Sequence, residues 1–321
     1  MFKKIKILLL AGVISIGIVG CSSKGNEEAV EDKVKITLVL DEGGVNDQSF
    51  NQSAWEGALK AKEDLGVEVS YIEAKQESDY ATNIETAIDQ ESDLIIGVGF
   101  KLADAIKEAA ENYPEEKFAA IDCSYEEIPS NLVSILFNEQ EAGYATGLIA
   151  AKTTKTDVVS FIGGYEISSV SAFYDGYKKA IEEVNKEENR NIKVLSQYAN
   201  SFTDAAKGKA IAQQMIKNEN SDVVFTCAGG VNNGAWESCV EAGVSAIGVD
   251  MPSSQFSPSI ISSALKNVGT GVELTVKDLV ENKFEGGQVK MFDLTNDGVG
   301  FEKTNLLSDE LVKYVEEKLN K

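Results

Sequence analysis

The chain contains no histidine, only four prolines, four cysteines and two tryptophans, and 30 Lys and Arg against 52 Asp and Glu among its 321 residues. Each scarcity excludes something. Without imidazole there is no Ser-His-Asp or Cys-His nucleophile, no His-ligated zinc and no imidazole acid or base near neutrality. The basic deficit, a net charge of −22, argues against a nucleic-acid partner, because binding to phosphates is driven largely by Lys and Arg releasing counterions. Few prolines together with 43% hydrophobic residues fit an ordered chain rather than a disordered one. The length suggests roughly two domains, each able to bury a core.

Long apolar runs are absent beyond the first twenty residues, which differ from the rest. Lys3, Lys4 and Lys6 form a basic start, Ile7 to Val19 is apolar apart from Gly and Ser, and Ile18-Val19-Gly20-Cys21 follows. The stretch is too short for a membrane span of about 20 residues and reads as a secretion signal. Its end resembles a bacterial lipobox, which implies cleavage after Gly20 and a lipid on Cys21; an uncleaved anchor is the alternative. Losing three lysines and no acid deepens the net charge from −22 to −25. Residues 21–33 (CSSKGNEEAVEDK) offer almost nothing to bury and suit a flexible tether between lipid and fold. The remaining Cys123, Cys227 and Cys239 are odd in number and have no CxxC spacing, so they read as buried hydrophobes, with a Cys227–Cys239 bridge as the alternative. No metal or other cofactor is expected.

From Lys35 onward short apolar runs alternate with amphipathic ones. Lys35 to Leu40, Val67 to Ile72, Asp93 to Val98, Phe118 to Ile121 and Leu132 to Leu136 have strand character, with helical spacing in Ser53 to Leu65, Asp79 to Gln90 and Leu102 to Tyr113. A second series of the same kind runs from Glu139 to Val249, and a tail adds Ile260 to Ala264, a helix to Asn282, a strand at Gln288 to Asp293 and a helix ending at Leu319. Such alternation predicts an α/β protein of two doubly wound lobes with parallel sheets. The expected division is 34–136 with 265–287 in the first lobe and 137–264 with 288–321 in the second, joined by a hinge.

Open parallel sheets bind ligands beyond the carboxyl ends of their strands. Here those segments, Asp41 to Asn51, Gly99 to Leu102, Asp122 to Glu126, Gly163 to Ser169, Ala228 to Asn233 and Asp250 to Ser254, are rich in Gly, Asn, Asp and Ser. In the first, Asp41, Asp47 and Asn51 supply donors and acceptors, and Phe50 is an apolar ring in a polar stretch. Asp47 and Ser49 also suit N-capping of the following helix. The Gly pairs at 43–44, 163–164 and 229–230 fit neither GxGxxG nor a Walker loop. Asp250 closes a strand as Asp41 does, and a carboxylate accepts two hydrogen bonds from vicinal hydroxyls, so facing Asp residues suit a sugar or ribose and repel phosphate.

The string DEGGVNDQSFNQSAWEGA (Asp41 to Ala58) resembles the start of the basic membrane protein family of lipoproteins, close to its purine nucleoside receptor A group. FAAID (Phe118 to Asp122), FNEQEAGYATGLIAA (Phe137 to Ala151), FYDGYKKA (Phe173 to Ala180), DVVFTCAGGVNNGAWESCVEAGVSAIGVD (Asp222 to Asp250) and IISSALKNV (Ile260 to Val268) follow in the same order. The resemblance implies the solute-binding component of an ABC importer, with a type I periplasmic-binding-protein fold, a purine nucleoside (adenosine, guanosine or inosine) as ligand and a membrane permease as partner. By position it implies that Asp41 holds the ligand from the first lobe, Phe50 stacks on the base and Asn51 bonds nearby. Gly229 and Gly230 would admit backbone close to the ligand, Asp250 would grip ribose hydroxyls, and Lys266 would reach in and offset the cost of burying Asp250. The family encloses the base between two aromatics, and residues 230–236 do not identify the second.

Other readings remain beside this one: a pentose or other nucleoside as ligand, a sensing or adhesive surface lipoprotein, a nucleoside hydrolase using carboxylates, and a repressor effector domain. An activated nucleophile or metal cluster beside the Asp residues would be needed for the enzyme. The export signal, the acidity and the lack of a DNA-binding headpiece weigh against the repressor.

Overall fold

A computed structural model describes residues 33–320; the expected secretion signal, Cys21 and nearly all of the expected tether lie outside them. The first half of the chain runs β1 (Lys35–Leu40), α1 (Phe50–Leu65), β2 (Glu68–Glu73), α2 (Tyr80–Asp89), β3 (Leu94–Val98), α3 (Ala103–Asn112), β4 (Phe118–Ile121) and β5 (Leu132–Phe137). The second runs α4 (Glu139–Thr153), β6 (Val158–Gly163), α5 (Ser168–Glu188), β7 (Lys193–Tyr198), α6 (Ala205–Lys217), β8 (Val223–Cys227), α7 (Val231–Ala242), β9 (Ser245–Asp250) and β10 (Ile260–Lys266). α8 (Val268–Val280), β11 (Gln288–Phe292), β12 (Val299–Phe301) and α9 (Asp309–Leu319) complete it.

Two six-stranded sheets result, in the orders β11-β5-β4-β3-β1-β2 and β12-β10-β9-β8-β6-β7. The first is parallel throughout; the second is parallel except for β12, which runs antiparallel to β10. Central strands such as β3 (LIIGV) and β4 (FAAI) are buried at every residue, as strands covered by helices on both faces must be. The edge strand β2 (EVSYIE) is the reverse, with no buried residue.

The chain passes between lobes three times: after Phe137, after Lys266 and after Phe292. The last two differ from the expected division. β10 stays in the second sheet through Lys266 rather than ending at Ala264, and Gln288–Phe292 pairs with β5 in the first sheet instead of belonging to the second lobe. The cause is α8, which packs on α1 so closely that a Cβ on Gly57 would lie 2.2 Å from the Gly269 carbonyl oxygen. That docking returns the chain to the first lobe before β11 forms. The crossings lie side by side, since the Asn138 amide donates to the Phe292 carbonyl at 2.8 Å and the Asn267 amide to that of Gly298 at 2.8 Å. Three glycines set the corresponding helix pair of the second lobe: a Cβ on Gly143, Gly147 or Gly176 would stand 2.1, 2.4 or 2.0 Å from a backbone oxygen of the opposing helix, α5 or α4.

Candidate functional site

The carboxyl ends of the two sheets face each other across one cavity, with about 630 Å³ of atom-free space including its open mouth. The first lobe lines it with Asp41 and Gly43 after β1, Asp47, Phe50 and Asn51 at the start of α1, Gly99 and Phe100 after β3, and Asp122 after β4. The second contributes Ile167, Ser169, Val170 and Phe173 around the start of α5, Phe202 after β7, Cys227, Ala228 and Gly229 around the end of β8, Asp250 and Lys266.

The loop after β1 is organised by its own carboxylates. Asp47 accepts from the backbone amides of Ser49 and Asn51 at 2.9 Å and of Gln52 at 3.0 Å, so it caps α1 while lining the cavity. Burial pushes its carboxyl up to about 6, against the pull of those amides. Asp41 Oδ1 accepts from the Gly43 amide at 2.9 Å and from Asn51 Nδ2 at 2.7 Å. Asn51 Oδ1 is then left buried with no hydrogen-bond partner among the described residues. Phe50 begins the helix, three residues earlier than the spacing suggested, so its ring is placed by the first turn of α1 and not by a free loop.

Lys266 ends β10 with 1% of its surface exposed. Its ammonium donates to Glu139 Oε1 at 2.7 Å and to Asp122 Oδ2, and lies 5.2 Å from the Phe50 ring centroid. Burial alone would lower the pKa of this ammonium; Asp122, Glu139 and Asp250 together outweigh burial and raise it above its ordinary value. The sequence pointed to Asp250 as its partner, but its direct contacts are Asp122 and Glu139. Asp250 itself receives the Ser49 hydroxyl on Oδ2. Burial pushes the Asp250 carboxyl up to about 7, with Lys266 and the Ser49 bond pulling the other way.

Seven of the eight singled-out pocket residues, Asp41, Asp47, Phe50, Asn51, Gly229, Asp250 and Lys266, line the cavity; Gly230 does not, and sits instead at the N-terminus of α7. Gly229 has φ +56°, and a Cβ there would stand 2.9 Å from the Phe202 carbonyl oxygen. The strand-end segments read from the sequence include Asp122 and Phe100 without singling them out, whereas Glu139 and Phe202 lie outside those segments. Asp122 follows β4 in a left-handed conformation (φ 60°), with Oδ1 buried and without a hydrogen-bond partner among the described residues. Phe202 packs against Tyr165 and Phe100, with ring centroids 5.2 and 6.4 Å away. The signal that flagged Phe50, a large ring in a polar segment at a strand end, is also present in Asn200-Ser201-Phe202. Cys123, Cys227 and Cys239 are buried and unbridged. Cys227 touches the cavity, but burial holds its thiol well above the ordinary range, so it is no ready nucleophile.

A family model described as ABC transporter substrate-binding protein PnrA-like matches residues 33–321. The chain belongs to this Bmp family. It is 36% identical over 315 residues to the ABC transporter nucleoside-binding protein BmpA of Lactococcus lactis, covering 90% of this chain and 88% of that one. It is 37% identical over 318 residues to basic membrane protein A of Borreliella burgdorferi, covering 97% and 91%. Among solved structures, an ABC transporter solute-binding protein from Aeropyrum pernix K1 superposes with a TM-score of 0.79 at 30% identity, covering 89% of this chain and 80% of that one. The two lobes are accordingly those of a type I periplasmic-binding-protein fold, and this Bmp-family chain is a substrate-binding protein of an ABC transporter. Among the described residues no helix is long and apolar enough to cross a membrane.

Proposed function

We propose that this protein is the lipid-anchored receptor of an ABC importer, that it closes its lobes over a purine nucleoside, and that it hands the nucleoside to a membrane permease. The observation that carries the reading is one cavity holding a phenyl ring from each lobe, Phe50 and Phe202, beside buried acceptors that have no partner among the described residues, Asn51 Oδ1 and Asp122 Oδ1. Flat rings accept a base by stacking, and an unpaired buried acceptor costs free energy until a ligand N–H or O–H meets it. In this reading Phe202 is the second aromatic, Asp41, Asn51 and Asp122 face the polar edge of the ligand, and Asp250 with Lys266 holds the ribose hydroxyls. Gly229 leaves room for the ligand, Gly230 serves only α7, and Asp47 holds the loop in place. The nucleoside-binding name of the Lactococcus relative points the same way. The carboxylates grip and do not attack, which fits binding without chemistry.

Isothermal titration with adenosine, guanosine, inosine and ribose tests the ligand: heat with at least one nucleoside and little with ribose is expected, and no heat with any nucleoside would sink the reading. For the anchor, a Cys21→Ala chain should leave the membrane fraction of the cells that make it. Loss of nucleoside uptake on deletion would support the permease partner.

A further inference from the structure

Ser49 is 0% exposed and stands at the N-cap of α1, yet its side chain caps nothing. A Ser at that position ordinarily accepts from an amide one turn into the helix. Here Asp47 has taken those amides, and the Ser49 hydroxyl donates instead to Asp250 Oδ2, 201 residues away and in the other lobe. Ser49 does not line the cavity, whereas Asp250 does. Asp250 ends β9 with a left-handed φ of +67°.

We propose that Ser49 is a positioning residue that couples ligand recognition to lobe closure, its hydroxyl forming a latch on the same carboxylate that faces the ligand. The inference rests on the proposed function only for the ligand whose release is measured. With the lobes apart, the hydroxyl and Asp250 Oδ2 are each met by water; when they close, the two groups meet each other and fix the carboxylate's orientation. The bond therefore forms only while the lobes are closed, which ligand-free protein also samples, and a contact made in only one of two states shifts the population toward that state. Its removal should speed opening and ligand release while leaving capture by the open form unchanged. It should also cost little fold stability, because Asp47 and not Ser49 caps α1.

The test uses full-length protein in detergent, as wild type, Ser49→Ala and Ser49→Cys. Stopped-flow measurement with the nucleoside that binds best should give dissociation about tenfold to a hundredfold faster for Ser49→Ala, as for loss of a hydrogen bond to a charged group. The weaker thiol donor should fall in between, and association rates should match. Hydrogen exchange in ligand-free protein should speed up in residues 245–254 across the cleft, with the unfolding midpoint nearly unchanged. Wild-type dissociation together with wild-type exchange across the cleft in both variants would overturn the latch. If Ser49→Ala fails to fold, Ser49→Cys carries the same comparison. If no nucleoside binds, the proposed function fails while the exchange measurement still decides the latch.

Discussion

The two lobes carry the same strand order, yet they face the cavity with different chemistry. Counting inward from the edges, β4 corresponds to β9 and β1 to β6. The counterpart of Asp250 is therefore Asp122, not Asp41 as their shared place after apolar strands suggested. Both hold left-handed backbone, φ 67° and 60°, a conformation that Asp tolerates better than bulkier residues. At the other matched position the lobes diverge: Asp41 follows β1, whereas Gly163 and Gly164 stand at the end of β6. A Cβ on Gly164 would lie 2.1 Å from the Phe202 ring and one on Gly163 would lie 2.5 Å from that of Tyr198. Giving up a side chain there lets the second lobe bring in an aromatic wall where the first presents a carboxylate. One architecture thus makes a polar wall and an apolar wall by an exchange of side-chain volume at equivalent strand ends.

The sharpest way to break the polar side is at Lys266. This ammonium is the buried cation between Asp122, Glu139 and Asp250, and removing one partner of a buried ion cluster leaves the others uncompensated. Lys266→Met should destabilise the protein by about 3–5 kcal/mol, measured as a lowered urea midpoint at pH 7.5. It should destabilise far more than Lys60→Met, which breaks only solvent-exposed ion pairs with Asp64 and Glu273.

The apolar side is probed through binding. Phe202→Ala and Phe50→Ala should each weaken nucleoside binding by about 1–3 kcal/mol, the usual loss when an aromatic under a base is truncated. The two differ in what else they disturb. Phe50 neighbours the Lys266 ammonium at 5.2 Å, so its loss should also lower stability; Phe202 contacts the rings of Tyr165 and Phe100 and no buried charge, so its loss should act mainly on affinity. Equal affinity for nucleosides in wild type and Phe202→Ala would remove Phe202 from the site.

Much of this was legible in the sequence because it is local. Alternating apolar runs and helical spacing marked both sheets, and the strand-end rule led to the segments containing Asp41, Asp122 and Asp250. What stayed hidden depends on partners far along the chain. Gln288–Phe292 reads as a strand, but its sheet is decided by α8 docking on α1 through Gly57 and Gly269. β12, three residues within Asp297-Gly-Val-Gly-Phe-Glu302, has no apolar run to announce it and exists because it pairs with β10. Ser49 and Asp47 both looked like caps; only the fold shows Asp47 taking the amides and Ser49 crossing to Asp250.

Taken per pH unit, the smallest effect is expected at the two raised carboxyls of the cleft, Asp250 and Asp47. Burial raises the Asp250 carboxyl to about 7 and the Asp47 carboxyl to about 6, from 3.8 in the unfolded chain. Between those values the folded protein binds more protons than the unfolded, so ∂ΔG/∂pH is negative. Their contribution is whole below about pH 4 and is lost as pH rises through 6 to 7. Other carboxyls shift the opposite way, including Glu42 and Glu188, so the quantity to measure is the difference between wild type and Asp250→Asn. Asn accepts the Ser49 hydroxyl through its own oxygen and tolerates the left-handed backbone, but it does not titrate. Urea unfolding of the ligand-free proteins should show Asp250→Asn gaining on wild type by no more than about 1.4 kcal/mol per pH unit between pH 4 and 7, with the gain levelling off above pH 8. Parallel curves would mean that Asp250 keeps an ordinary carboxyl pKa in the folded chain, open enough to water to be solvated as Asp is in the unfolded one.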